Sequence, residues 1–519
     1  MAKQIKLNSK NLKEIRKINP MLHSYNVEMT EVTGGTFWKE YTPEQVAGHG
    51  KFPAVCVNKE GLMQVYPPVN LYDTRLRKLA KELGPLWIRV SGTWATKTYY
   101  DLDGKAGGVA PEGYENILTR EQWIGVLSFV KAMGAKLLVS VSNCAGIHSA
   151  EEPWKPDQAK MLFDFSRDFG VPISAAEFMN EPNLLSGSGA PKGYTVEHFI
   201  RDQDIFNKWL HDNYPECLAV GPCSVGGGIM GKMDVEKFPL KLLMKKLGTE
   251  AFIKGSKEPM EVFSYHYYNG VSERIAAGMH FVHWPASKAA SEKYLDSAGY
   301  CARAAAKLRD KYMPGAQIWV TESGDAGGGG DTWASTYLDV LRTLNELGTF
   351  PTITDGVIFH NTLASSDYGW LRHGTFEPRP NYFAVLLWNR LMGKEVYETG
   401  EKIMFFGREY SLEVQEYGGC KKIALAEDKI QMYIKEDSTK EQRQQCLNEW
   451  YRKQLKLKIP ELIEKWEPVI RVQVKEWNVK NMKTRWGTCN IAAHRIWLNL
   501  QLAKSKPECL EYVVVHEMT

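Results

Sequence analysis

Between residue 20 and about residue 395, short apolar stretches alternate with amphipathic ones in a single continuous run. The strand candidates are Leu22–Glu31, Leu86–Ser91, Lys136–Ser142, Ile173–Phe178, Cys217–Gly221, Glu261–Tyr267, Gln317–Glu322 and Gly356–Asn361. Helical patterns lie between them, including Leu71–Leu83, Glu121–Met133, Asp157–Phe169, Glu197–Asn213, Ser287–Tyr312 and Asp331–Leu347. Eight strands with intervening helices predict an α/β fold, a (β/α)8 TIM barrel. An open doubly wound sheet is the rival. It would want a Gly-rich fingerprint after its first strand, and Thr33-Gly-Gly-Thr lacks that spacing.

In such a barrel the C-terminal strand tips carry the chemistry. Ile173-Ser-Ala-Ala-Glu-Phe-Met-Asn-Glu-Pro-Asn183 reads as a buried strand that breaks at Pro182, whose ring cannot continue a ladder. Asn180 and Glu181 therefore stand at the tip of the fourth strand. Ile318-Trp-Val-Thr-Glu322-Ser-Gly places Glu322 likewise at the tip of the seventh. Polar or aromatic residues mark the other tips: Glu28 and Glu31, Arg89 with Thr93, Asn143, His266 with Tyr267 and Tyr268, and Asn361.

Cleaving a glycosidic bond takes an acid for the leaving oxygen and a second carboxylate across the anomeric carbon. Burial suits Glu181 to the acid role, because it raises a carboxyl pKa. Glu322 is then the nucleophile, with His266 and Tyr268 placed to hydrogen-bond it. Tips of the fourth and seventh strands can lie about 5–5.5 Å apart, the spacing for retention by double displacement. Taken singly, Glu181 could be a solvated turn residue, Glu322 a helix-cap neighbour and His266 a satisfied loop histidine. Together they predict an enzyme.

A net charge of +4 over 519 residues does not argue for nucleic acid. Sixteen Trp and twenty-four Tyr, with no basic cluster beside them, suit stacking on sugar rings. The nine cysteines are scattered and form no CxxC pair, as expected of free thiols in a reducing compartment. The basic Met1–Lys10 segment lacks an apolar stretch behind it, and no apolar run is long enough to span a membrane. A cytoplasmic protein is the expectation.

Four blocks in residues 20–397 resemble the glycoside hydrolase family of heparanase and related β-glucuronidases. They are Glu177-Phe-Met-Asn-Glu-Pro-Asn183, Tyr265-His-Tyr-Tyr-Asn-Gly270, Glu322-Ser-Gly-Asp-Ala-Gly-Gly-Gly-Gly330 and Phe376-Glu-Pro-Arg-Pro-Asn-Tyr-Phe-Ala-Val-Leu-Leu-Trp-Asn-Arg-Leu-Met-Gly393. The resemblance implies that Glu181 is the acid/base and Glu322 the nucleophile; Asn180, His266 and Tyr268, read from their strand tips, are expected beside the substrate. It also implies that a uronate carboxylate is held by backbone N–H groups at Gly328 and Gly329, helped by Tyr368. Glycines let backbone donors approach an anion closely. Lys97 and Arg89 could add positive charge, although Arg89 reads better as a barrel-wall ion pair. The last block reads as a helix closing the barrel, with Leu386, Leu387 and Leu391 inward. Family members usually carry a β-sandwich beside the barrel, and the chain after residue 400 reads otherwise.

The composition shifts near Thr399–Lys402, dividing the chain into a barrel over 1–399 and a small α+β domain over 400–519. The second part has strand signals at Lys402–Gln415, Lys422–Ile434, Val469–Glu476 and Arg495–Leu500, a charged helix over Thr439–Trp466 and a last helix from Pro507. Lys483-Thr-Arg-Trp-Gly-Thr-Cys-Asn490, Arg495-Ile-Trp-Leu-Asn-Leu500 and Glu511-Tyr-Val-Val-Val-His-Glu-Met-Thr519 resemble the YgjP-like and SprT-like zinc metallopeptidases. There, His516 would be a metal ligand and Glu517 the general base of an HExxH motif. The run stops at Thr519, before the second His would fall. An incomplete zinc site is therefore expected, in a domain that reads either as truncated or misjoined or as a genuine fusion.

The sequence thus predicts a retaining glycoside hydrolase acting on a β-linked uronide, with a carbohydrate substrate and no cofactor for the barrel. Neither nucleic acid nor membrane is an expected partner. The alternatives are a zinc metallopeptidase working through the C-terminal part, a xylosidase or arabinofuranosidase, and a non-catalytic carbohydrate-binding barrel.

Overall fold

The computed structural model of the chain describes residues 13–50, 61–226, 248–276, 283–365, 367–398, 401–416, 419–426, 429–435 and 438–519. The Met1–Lys10 segment, Cys56 and the start of the Thr399–Lys402 junction lie outside these residues. Two compact units are present, Lys13–Tyr397 and Glu398–Thr519.

The first unit is a closed barrel of parallel strands. Its strands are β1 (His23–Glu28), β2 (Trp87–Ser91), β3 (Lys136–Ser140), β4 (Ile173–Glu177), β5 (Leu218–Gly226), β6 (Val262–Val271), β7 (Gln317–Gly327) and β8 (Ile358–His360). Each strand pairs with its successor, and β8 closes on β1 through Ile358↔His23. The covering helices include α1 (Thr74–Glu82), α2 (Arg120–Met133), α3 (Asp157–Asp168), α4 (Val196–Asn213), α5 (Ser297–Tyr312), α6 (Tyr337–Ile353) and α7 (Pro380–Leu391). Thr119 and Thr195 start α2 and α4 with capping boxes, and left-handed Gly134 ends α2.

Side chains on a strand alternate between its two faces, and this period builds the interior in layers. Trp87, Leu138, Ala175, Val262 and Trp319 form an apolar floor inside the barrel, with the two indole rings 4.8 Å apart. Two residues further along their strands, the same face presents Arg89, Ser140, Glu177 and Ser264, all fully buried. The outward residues Ile88, Val90, Leu137 and Val139 pack in the larger core shared with the helices. The polar layer is thus raised onto a dry base.

Several expected elements shift. The long helix over Ser287–Tyr312 is broken into a short turn, Glu292–Leu295, and α5. Helix α6 begins at Tyr337, because residues 331–336 belong to the loop leaving β7. In α7, Leu386 points inward as expected, but Leu387 and Leu391 are exposed. They lie four residues apart on one side of the helix, whereas Asn381, Tyr382, Val385 and Leu386 occupy the buried side.

In the second unit, β9 (Glu401–Phe405), β10 (Arg408–Glu416), β11 (Lys422–Leu425) and β12 (Lys429–Ile434) form one sheet in the order β9-β10-β12-β11. A second sheet orders β13 (Glu476–Lys480), β15 (Arg495–Asn499) and β14 (Gly487–Asn490) with β15 in the middle. The charged helix is α8 (Lys440–Ile470), and the last is α9 (Pro507–Met518). The strand expected over Val469–Glu476 is instead the end of α8 and a loop, with Glu476 opening β13. Leu455, Ile459, Leu498, Val514 and Met518 share this unit's own core. Among the described residues, no helix is long and apolar enough to cross a membrane.

Candidate active site

Arg89 is fully buried, and its guanidinium organises the polar layer. It meets Glu177 Oε1 at 2.5 Å, Glu322 Oε1 at 3.1 Å, Asn180 Oδ1 at 2.8 Å and His266 Nε2 at 3.3 Å. A guanidinium only donates, so Nε2 of His266 accepts and its Nδ1 carries the hydrogen. Glu177 also receives Ser91 Oγ at 2.7 Å, Ser140 Oγ, and Cys223 Sγ at 2.8 Å. Burial raises the Glu177 carboxyl, but the Arg89 charge and these donors outweigh it and hold the group below its ordinary value. Arg89 therefore lies in an ion pair inside the barrel wall, and through it reaches the candidate nucleophile.

The two glutamates foreseen at the strand tips come together here. One carboxylate oxygen of Glu181, one of Glu322 and a ring nitrogen of His266 all lie within 4.8 Å of one another. Glu181 has a positive φ of 47°, which swings the chain out of the strand at the turn before Pro182. Glu322 lies at register shifts in β7, between Val320 and Ser323 against β8 and opposite Tyr265/His266 against β6. A bulge re-aims a side chain in this way.

Glu322 is held from two sides. Tyr268 OH donates to its Oε2 at 2.7 Å, and Arg89 to its Oε1. Asn361 Nδ2 donates to Tyr268 OH at 3.0 Å, and Asn26 Nδ2 to Asn361 Oδ1 at 3.2 Å. Tyr268 is thus the expected partner of Glu322. His266 differs from expectation: its Nδ1 is hydrogen-bonded to Glu181 Oε1 at 2.9 Å and stands 3.4 Å from Glu322 Oε2.

Burial raises the Glu181 carboxyl above its ordinary value. The hydrogen bond from His266 opposes this, and the charge of Glu322 adds to it. Its side chain keeps 14% exposure, against 6% for Glu322, so the raised carboxyl is the more accessible one. This arrangement can deliver a proton from one carboxyl group and an oxygen nucleophile from the other.

The glycine loop follows β7. Gly328 and Gly329 have φ of +87° and +88°. A Cβ at Gly329 would lie 2.7 Å from Trp38 Cγ, and one at Gly330 would lie 2.9 Å from Tyr368 Cβ. Glycine is required there, and Tyr368 packs against the loop. The Tyr368 ring stacks on Phe37 with centroids 6.3 Å apart, and burial raises its hydroxyl well above the ordinary phenol range. Asn180 is 1% exposed, with its carbonyl oxygen committed to Arg89. Lys97 lies apart, paired with exposed Glu115 at 3.0 Å.

Glu177, Ser91, Ser140 and Cys223 were not foreseen as parts of this site. For Glu177 a signal existed: a lone carboxylate in an apolar strand must find a buried partner.

In the second unit, His516 stacks on Tyr512 at 6.0 Å, and Glu517 packs where a Cβ on Gly487 would fall. Among the described residues, the group of three His, Cys, Asp or Glu side chains with converging ligand atoms is Glu181, His266 and Glu322, and His516 belongs to none. Zinc takes several such ligands at once. The described residues around His516 do not fit that metal.

Comparison with known proteins gives two separate likenesses. A model of the YgjP-like metallopeptidase domain matches residues 388–519. Heparanase-like protein 1 of Arabidopsis thaliana is 27% identical over 354 residues, 63% of this chain and 60% of that protein. The chain resembles the heparanases. Baicalin-beta-D-glucuronidase of Scutellaria baicalensis is 36% identical over 366 residues, 64% of either chain. Heparanase of Bos taurus is 22% identical over 378 residues, again 64% of each. The chain spans about 60% of the length of the first of these heparanase-like relatives.

Proposed function

We propose that the chain is a retaining glycoside hydrolase that cleaves a β-linked uronide by double displacement. The observation that carries this reading is the approach of Glu181 and Glu322 to within 4.8 Å, oxygen to oxygen. That suits the short carboxylate spacing of retaining enzymes, about 5–5.5 Å, better than the wider gap of inverting ones.

In the first step Glu181 gives its proton to the glycosidic oxygen as Glu322 attacks the anomeric carbon. The C–O bond to the leaving group breaks, and an ester forms between the sugar and Glu322. In the second step Glu181, now ionised, takes a proton from water, whose oxygen displaces Glu322. Arg89 and Tyr268 each donate to Glu322, steadying it while it regains negative charge. His266, bonded to Glu181, holds the acid in place.

The uronide preference is supported by the glycine loop beside Tyr368, and by the glucuronidase named among the relatives. Hydrolysis of an aryl β-D-glucuronide tests the reading. Glu181→Gln and Glu322→Gln should each abolish turnover while leaving the fold intact, and full activity in either variant contradicts it. Faster cleavage of an aryl β-D-xyloside would keep the hydrolase and remove the uronide.

A further inference from the structure

We propose that Ser272 is a positioning residue for the substrate carboxylate: it fixes the direction of two backbone N–H groups in the Gly327–Gly330 loop. The proposal rests on the uronide reading and names the device that would give it specificity.

Ser272 lies just beyond β6 and is fully buried. Both of its donors are spent on consecutive carbonyls of the loop. Its N–H donates to Gly327 O at 3.0 Å, and its Oγ donates to Gly328 O at 2.8 Å. A trans peptide is planar, with N–H pointing opposite to C=O. The Gly327 carbonyl shares its plane with the N–H of Gly328, and the Gly328 carbonyl with the N–H of Gly329. Both N–H groups therefore face away from Ser272, on one side of the loop. Consecutive amides turned the same way form an anion-binding concavity.

The surroundings fit a clamp. Ser272's own carbonyl accepts from the N–H of Ile275 at 3.0 Å and of Ala276 at 2.8 Å, so the residue sits in a bonded turn. The far end of the loop is tied separately. Asp331 N–H donates to Asp325 Oδ2 at 2.8 Å, and Glu273 N–H to Asp331 Oδ1 at 2.9 Å. Tyr41 OH donates to Gly330 O at 2.7 Å. Between these anchors, the peptide joining Gly328 and Gly329 is flanked by glycines on both sides, the residues freest to rotate. The Ser272 hydroxyl fixes its plane. Without that hydroxyl the peptide can turn, and the paired N–H groups lose their common direction.

The test compares wild-type chain, Ser272→Ala and Ser272→Thr on an aryl β-D-glucuronide and the matching β-D-glucoside. Ser272→Ala should lower kcat/KM for the glucuronide by about tenfold, chiefly through KM, since one positioning hydrogen bond is lost. The glucuronide-to-glucoside ratio should fall by a similar factor, and Ser272→Thr should restore it. That ratio does not depend on the fraction of folded enzyme, so it stands even if the alanine variant folds poorly. If it does not fold at all, near-isosteric Ser272→Cys replaces it with the same expected loss. Equal losses on both substrates, or an unchanged ratio, overturn the proposal while wild-type preference for the glucuronide upholds the uronide reading. Wild-type enzyme without that preference overturns both.

Discussion

Nδ1 of His266 lies 2.9 Å from Glu181 Oε1 and 3.4 Å from Glu322 Oε2, so one imidazole faces both carboxylates. Its hydrogen bond lowers the Glu181 carboxyl against the upward push of burial. Replacing His266 with Ala should let Glu181 rise further. The alkaline limb of the kcat/KM profile, which reports loss of the acid's proton, is then expected at higher pH than in wild type. An unmoved limb would separate His266 from the acid.

Arg89 neutralises Glu177 and reaches Glu322 in a fully buried setting. Arg89→Met should cost about 3–5 kcal/mol of stability, because it strands buried carboxylates. Thermal unfolding reads this as a large drop in Tm. Glu177 has a lowered carboxyl in the fold, so its stabilisation is present above the ordinary carboxylate value and is lost as the pH falls through the folded one. The variant should lack this acid-dependent loss.

Glu31 behaves in the opposite sense. Burial raises it from 4.5 to about 8, against hydrogen bonds from Glu28 N–H and Thr362. The folded state binds the proton more tightly than the unfolded one, so stability is full below about 4.5 and declines as pH rises toward 8. Glu31→Gln keeps the neutral, hydrogen-bonded form. Its Tm should fall less than that of wild type between those pH values, measured by calorimetry.

Tyr268→Phe removes a donor to Glu322 and leaves Asn361 without its acceptor. A fall in kcat of roughly 10²-fold is expected, the scale for losing one charge-stabilising donor. Gly329→Ala combines a φ of +88° with a Cβ placed 2.7 Å from Trp38 Cγ. It should raise KM for a uronide far more than for a neutral glycoside.

The barrel was legible in the sequence because eight apolar stretches and their helices carry the periodicities of strand and helix in full view. Glu181 and Glu322 were legible as carboxylates at strand tips, since Pro182 and the glycines after Glu322 mark where each strand ends. What lay hidden depended on cross-chain register. His266 meets Glu181 across strands far apart in sequence, a contact that no local pattern encodes. Arg89 links β2 to β4 and β7, a contact set by barrel closure. Leu387 and Leu391 misled because apolar residues on a surface helix do not declare which side faces the core.

The most direct measurement is trapping of the glycosyl-enzyme with a 2-deoxy-2-fluoro-β-D-glucuronyl fluoride, followed by digestion and peptide mass spectrometry. Double displacement predicts a single added fluorosugar, esterified to Glu322. Label on another residue, or unlabelled chain that turns the reagent over with inversion at the anomeric carbon, would contradict it.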